Sequence, residues 1–113
     1  MTHRERVLAA LNHTIPDRLP MDLGSARFTG IVQPAYEKLR AHLGFGRPGP
    51  IIERMQQLVE MDECVLEHLD VDVRAFAQGA PDRGGGEELG ENRYRDEWGV
   101  TRVKPPGSHY YDL

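Results

Sequence analysis

Apolar positions along the chain come in short blocks whose spacing changes from one block to the next. In the first, Thr2 is followed three residues later by Glu5, the pattern of a capping box in which each residue's side chain accepts from the other's amide. Val7, Leu8 and Leu11 then recur at helical spacing and Asn12 is a stop signal, so a helix over residues 2–12 is predicted, covering one end of a core. Residues 19–23 form a short apolar run introduced by Pro16, Asp17 and Pro20. They read as a strand that pairs fully only after Pro20, because proline has no amide to donate. The loop that follows holds Ser25, Arg27 and Thr29 between Gly24 and Gly30.

A second helix is predicted from Gln33, with Pro34 in its first turn, Tyr36, Leu39 and Leu43 on one face and Gly44 as its cap. Residues 44–50 read as a Gly/Pro connector. Residues 51–69 are densely apolar and roughly helical, with a break at 60–62 where Asp62 can begin a second helix; Cys64 falls inside this pattern as a small core residue. Residues 71–76 read as a second strand, with Val71 and Val73 on one face and Asp72 and Arg74 on the other. Residues 79–90 are glycine-rich and read as a loop. The triplet Gly84, Gly85, Gly86 lacks the Gly-Lys-Ser/Thr ending of a phosphate loop. Residues 94–103 alternate around Gly99 as a hairpin with Trp98 as its buried apolar anchor, and a further extended piece starts at His109. The order helix, strand, loop, helix is the opening of an α/β unit.

Composition narrows the function classes. The chain has 113 residues, 39% hydrophobic and 28% charged, with a net charge of -4 and a pI near 5.7. That supports one modest core, since a chain of this length buries roughly 60–70% of its unfolded surface. Acidic residues are interspersed among Arg4, Arg6, Arg93, Arg95 and Arg102, so no basic face for nucleic acid or an anionic membrane is expected. Cys64 is the only cysteine, which excludes an internal disulfide or a Cys-x-x-Cys metal pair and fits a cytoplasmic setting. No apolar run is long enough for a membrane span. The five histidines lack zinc-ligand spacing, and the adjacent pairs Asp62, Glu63 and Glu87, Glu88 read as solvated faces.

Two residues stand out as candidate substrate contacts. Alternation aims Asp22 away from Met21 and Leu23, either as an inward carboxylate at the strand's end or as a turn residue capping the loop. Arg27 offers a cationic fork that can hold a carboxylate bidentately, or is an ordinary exposed loop arginine.

Taken in order, THRERVLAALNHTIPDRLPMDLG, TGI leading into AYEKLRAHLG, QQLVEMDECVLEHLDVDVR, and YRDEWGV with YYD behind it resemble the N-terminal part of the uroporphyrinogen decarboxylase superfamily. They are most similar to its methyltransferase-like branch, whose members move methyl groups between corrinoid proteins and thiols such as coenzyme M. The resemblance implies an α/β fold, the N-terminal portion of a (β/α)8 TIM barrel that is incomplete in this chain, since such a barrel takes about 250 residues to close. Residues 1–78 would carry the first helix and first βα units, and residues 79–113 a glycine-rich loop and a hairpin insertion. It also implies a small-molecule substrate at the C-terminal ends of the strands, with Asp22 and Arg27 among its contacts. No cofactor is expected in this chain; zinc and a corrinoid partner belong to full-length methyltransferase-type relatives. Two departures weigh against porphyrinogen decarboxylation. Only Arg27 matches in kind the family's R-Q-A-G-R loop, and Phe76, Ala77 and Gln78 stand where decarboxylases have Phe-Ser-Asp. The rival expectation is a non-catalytic small α/β domain that self-associates or pairs with a separate C-terminal half, because unpaired edges and half-covered cores favour association.

Overall fold

The computed structural model describes residues 1–46, 49–76, 79, 82 and 85–113. Helix α1 spans His3–Leu11 behind its predicted capping box: Thr2 Oγ1 accepts from the Glu5 amide at 3.2 Å and Glu5 Oε2 from the Thr2 amide at 2.8 Å. Its apolar residues do not make the contact that holds it. Leu8 and Leu11 are exposed, and the one buried residue of the helix is Arg6. Helix α2 spans Gln33–Leu43, opens on Pro34 and buries Tyr36 and Arg40. Gly44 follows at φ 76°, a left-handed conformation that costs glycine nothing, and the Phe45 amide returns to the Arg40 carbonyl at 2.9 Å.

Residues 51–59 are not helical, contrary to their apolar density. They form a hairpin of β1 (Ile51–Glu53) and β2 (Leu58–Val59), paired antiparallel. The turn decides this. Glu53 accepts from the Gln56 amide at 2.6 Å, Gln57 takes a left-handed φ of 59°, and Val32 bridges Leu58, so the hairpin is seated on the entrance to α2. Helix α3 (Glu63–His68) starts at the predicted break, but Asp62 makes no side-chain cap because its carboxylate is taken by Tyr36 and Arg40. Cys64 is exposed rather than in the core. Helix α3 closes with Asp70 in the left-handed region (φ 54°) and the Val71 amide returning to the Leu66 carbonyl at 2.9 Å. The core lies between α2, β2 and α3, with Tyr36, Val59 and Val65 fully buried and Ile31, Leu39 and Met61 packed around them.

A three-stranded antiparallel sheet follows, made of β3 (Glu87–Gly90), β4 (Arg93–Arg95) and β5 (Thr101–Val103). The predicted hairpin is β4 and β5, and β3 extends the sheet into a stretch read as loop. The predicted final extended piece pairs at one point, Asp112 bridging Val103. Arg54 joins the sheet to the β1–β2 hairpin, stacking 3.8 Å over the Tyr94 ring and donating to Glu88 Oε2 at 2.8 Å. Trp98 is not a buried anchor: it is 83% exposed. Asp96 accepts from the Trp98 and Val100 amides at 3.0 and 2.9 Å, which closes the turn and displays the indole at its tip.

Neither 19–23 nor 71–76 forms a ladder, and no parallel strand pair occurs among the described residues. The chain is open for its mass. Its radius of gyration is 17.1 Å, against about 13 Å for a compact domain of this length. Its accessible surface is 8327 Å², against roughly 6,300 Å² for a compact monomer of 12.8 kDa. Among the described residues no helix is long and apolar enough to cross a membrane.

The capping box carries a stability prediction. Thr2→Ala should lower unfolding free energy by about 0.5–2 kcal/mol in urea titrations followed by circular dichroism. An unchanged midpoint would show that α1 is held without its cap.

Candidate functional site

The segments around 19–23 and 71–76 lie side by side and run in the same direction. The Asp72 amide donates to the Met21 carbonyl at 2.9 Å, and the Asp72 carboxylate accepts from the Met21 amide at 2.8 Å. Before that point Arg18 and Leu19 share a hollow with Leu69 and Asp70; after it Leu23 and Gly24 share one with Arg74 and Ala75. Pro20 and the Asp72 side chain explain why no ladder forms. Proline offers no donor, and a carboxylate takes the place a strand carbonyl would hold.

Asp72 is the centre of an ion-pair cluster. Its side chain is wholly shielded from solvent and meets two guanidiniums: Arg6 Nη1 donates to Oδ1, and Arg18 Nη1 to Oδ2 at 2.6 Å. Arg6 also holds Asp17 through paired bonds of 2.7 and 2.9 Å, and Arg18 donates to Asp70 Oδ2 at 2.6 Å. His3 Nε2 lies 2.7 Å from Asp70 Oδ1. Burial pushes the Asp72 carboxyl up, but the Met21 amide and the two arginines outweigh it and hold it down at about 2. The bonds from Arg6 hold Asp17 well below the usual carboxylate range, and those from His3 and Arg18 lower Asp70. Sequence reading missed Arg6, Arg18 and Asp70 as a set. The available signal was an arginine inside an apolar helical stripe, with carboxylates flanking both extended segments.

Beyond this cluster the two segments end at the loop. Gly24 suits its place twice over, by its left-handed φ of 82° and because a Cβ there would sit 2.2 Å from Met61 Cγ, and its amide closes the loop by donating to the Thr29 carbonyl at 2.8 Å. Asp22 accepts from the Ser25 amide at 3.1 Å and from the Ser25 hydroxyl, the geometry of a turn cap. It lines the hollow with Arg18 and Leu69. Arg27 instead opens onto a cleft of about 280 Å³ beside Gly30, Ile52, Leu58 and Phe76. Its guanidinium is half exposed and 3.7 Å from Glu53 Oε1, too far for a hydrogen bond. Among the described residues the two candidates line different hollows.

Among the described residues Arg27 is the cation lining this cleft, with Glu53 beside it and Ile52, Leu58 and Phe76 as apolar walls, so a carboxylate attached to an apolar body could be held there in competition with Glu53. Ala77 and Gln78, which follow Phe76 in the family comparison, lie outside the described residues. Among the described residues no three His, Cys, Asp or Glu side chains converge on a metal position. Compared with protein-family models, with curated proteins and with solved structures, the chain matches none.

The cluster makes an acid-sensitivity prediction. Asp72 has a folded value below its ordinary 3.8, so its contribution to stability is full above about pH 4 and is lost as pH falls toward 2. Melting followed from pH 7 to pH 2 should show Tm falling below about pH 4. Asp72→Asn should lower Tm at neutral pH and flatten that acid limb. Asp72→Ala, which leaves two arginines facing an uncompensated gap, should destabilise by about 3 kcal/mol or more. An acid limb untouched by Asp72→Asn would remove Asp72 from its cause.

Proposed function

We propose that the chain is the N-terminal segment of a uroporphyrinogen decarboxylase-like barrel enzyme. On this reading Arg27 supplies a carboxylate contact in an active site that further barrel strands complete. The observation that supports it is the lay of the two extended segments. They run parallel, are locked together at Met21 and Asp72, and end together beside the loop at 24–30. Neighbouring barrel strands are parallel, and barrel active sites form from the loops at their C-terminal ends. A segment of this kind also leaves apolar side chains for its missing neighbours to cover, and Leu19, Phe28 and Phe76 are each more than four-fifths exposed.

The chemistry within this reading is tetrapyrrole decarboxylation or corrinoid-linked methyl transfer. In either case the chain's own share is substrate placement. Arg27 orients a carboxylate, and Asp22 keeps the loop's entry turn closed through Ser25. Zinc and the corrinoid of the methyl-transfer branch belong, on this reading, to parts of the enzyme outside these 113 residues.

The test uses the reading frame extended past Leu113 and the 113-residue chain in parallel. The extended protein should turn over uroporphyrinogen, or transfer a methyl group from a methyl-corrinoid to a thiol. Arg27→Ala should reduce kcat/KM by about 10- to 150-fold, the loss of a charge-assisted hydrogen bond of roughly 1.5–3 kcal/mol. The 113-residue chain should be inactive, since a barrel site draws on several strand ends. Turnover by the short chain that vanishes in Asp22→Asn or Arg27→Ala would overturn the fragment reading.

A further inference from the structure

We infer that the chain binds a free α-amino acid with an apolar side chain, its carboxylate held by Arg27 and the Tyr94 hydroxyl and its ammonium by Glu97. The site is a second hollow lined by Arg27, a polar space of about 340 Å³ where the loop at 24–30, the β1–β2 hairpin and the three-stranded sheet meet.

Tyr94 is the group that points to a ligand. It is 7% exposed, and its ring is fixed on two sides: the Arg54 guanidinium lies 3.8 Å over one face, and the Tyr111 ring packs edge-on at 5.0 Å. Its hydroxyl makes no hydrogen bond among the described residues, where every fully buried polar side-chain atom has a partner. The oxygen therefore opens into the hollow that the residue lines. Burial pushes its pKa up, so it stays protonated and able to donate. A tyrosine buried this far ordinarily finds a partner for its hydroxyl, and a carboxylate oxygen in the hollow supplies one.

The charges around the same hollow define the rest of the ligand. Five charged side chains line it, and three are engaged within the protein. Glu53 accepts from the Met55 and Gln56 amides at 3.3 and 2.6 Å, and Asp96 accepts from two turn amides and from Arg102. Arg54 donates to Glu88 through both terminal nitrogens. That leaves Arg27, 3.7 Å from Glu53 Oε1, and Glu97, which is exposed and in no ion pair among the described residues. One cation, one hydroxyl donor and one carboxylate are the complement of a carboxylate and an ammonium on one small molecule. A phosphate or a dicarboxylate would meet three acidic side chains on the walls and be repelled. The hollow shares Arg27, Ile52 and Glu53 with the apolar cleft, so a ligand whose polar head sits here directs its side chain past Ile52 toward Leu58 and Phe76. Those walls suit an aliphatic chain such as that of leucine.

This inference goes beyond the enzyme reading and does not rest on it. It is read from binding to the 113-residue chain, so a failed titration leaves the turnover test standing. Calorimetric titration with L-leucine should show saturable binding at one site per chain. Tyr94→Phe keeps the ring under Arg54 and should weaken binding about 10-fold or more, as should Arg27→Ala, the range for a hydrogen bond to a charged group. Glu97→Gln should weaken it about 2- to 5-fold, as for an exposed ion pair. Isocaproate, which lacks the ammonium, and isoamylamine, which lacks the carboxylate, should each bind more weakly than leucine. Alanine, too short to reach the cleft, should do so as well. Circular dichroism spectra that match the parent chain's will show that each variant loses a contact and not the fold. The absence of saturable leucine binding overturns the inference. So does binding that keeps its full strength in Tyr94→Phe, and so does isocaproate binding as tightly as leucine.

Discussion

A single buried carboxylate holds the N-terminal half of this protein together. Asp72 is shielded from water and stays charged because two guanidiniums and the Met21 amide surround it. A lone buried carboxylate would be expelled or protonated; one with three donors becomes a fixed joint. Three pieces meet there. Arg6 brings in α1, Arg18 brings the turn after it, and the Met21 amide brings the extended segment that leads to the loop. Asp17 accepts further bonds from Arg6 and Asp70 from Arg18, so each guanidinium bridges Asp72 to a second carboxylate.

That joint explains why α1 can sit on the molecule with Leu8 and Leu11 exposed. The helix is fastened by charge and hydrogen bonds at Arg6 and His3, not by an apolar stripe, and the apolar face stays available for cover. A second polar joint does similar work deeper in. Asp62 accepts from the Tyr36 hydroxyl at 2.6 Å and pairs with Arg40, tying α2 to the start of α3 across the core. Burial of the Tyr36 ring pushes its hydroxyl's pKa up, so it remains a neutral donor. Between these joints the apolar core is small, and much of the chain's order rests on arginine geometry.

The same economy leaves the loop at 24–30 in an unusual position. Its backbone is closed by Gly24, Asp22 and Thr29, while Arg27 and Phe28 stand on its outside. A rigid loop with an underused cation beside an apolar cleft is equipped to receive something. The enzyme reading assigns it a substrate carboxylate. That reading starts from one physical fact: among the described residues Arg27 pairs with Glu53 alone, at 3.7 Å, too long for a hydrogen bond.

What the amino-acid order determined by itself was local. The capping box at Thr2 and Glu5, the Pro34 start and Gly44 stop of α2, the start of α3 after Asp62 and the hairpin about Gly99 all depend on atoms within a few residues of one another, and each formed where expected. Tertiary structure decided the rest. Apolar density at 51–59 suggested helix, but the bridge from Val32 to Leu58 captured it as a hairpin. The runs at 19–23 and 71–76 carried strand patterns without neighbours to ladder with, so they stayed extended and were joined by a side chain. Cys64 and Trp98 read as core by type and were placed outside, one because the inner face of α3 belongs to Val65 and Leu66, the other because Asp96 closes the turn beneath it. Arg6, Arg18 and Asp72 are far apart in the chain, and no periodicity encodes such a meeting. Whether a charge is a solvated surface residue or a buried joint depends on which donors surround it, and only the folded chain supplies them.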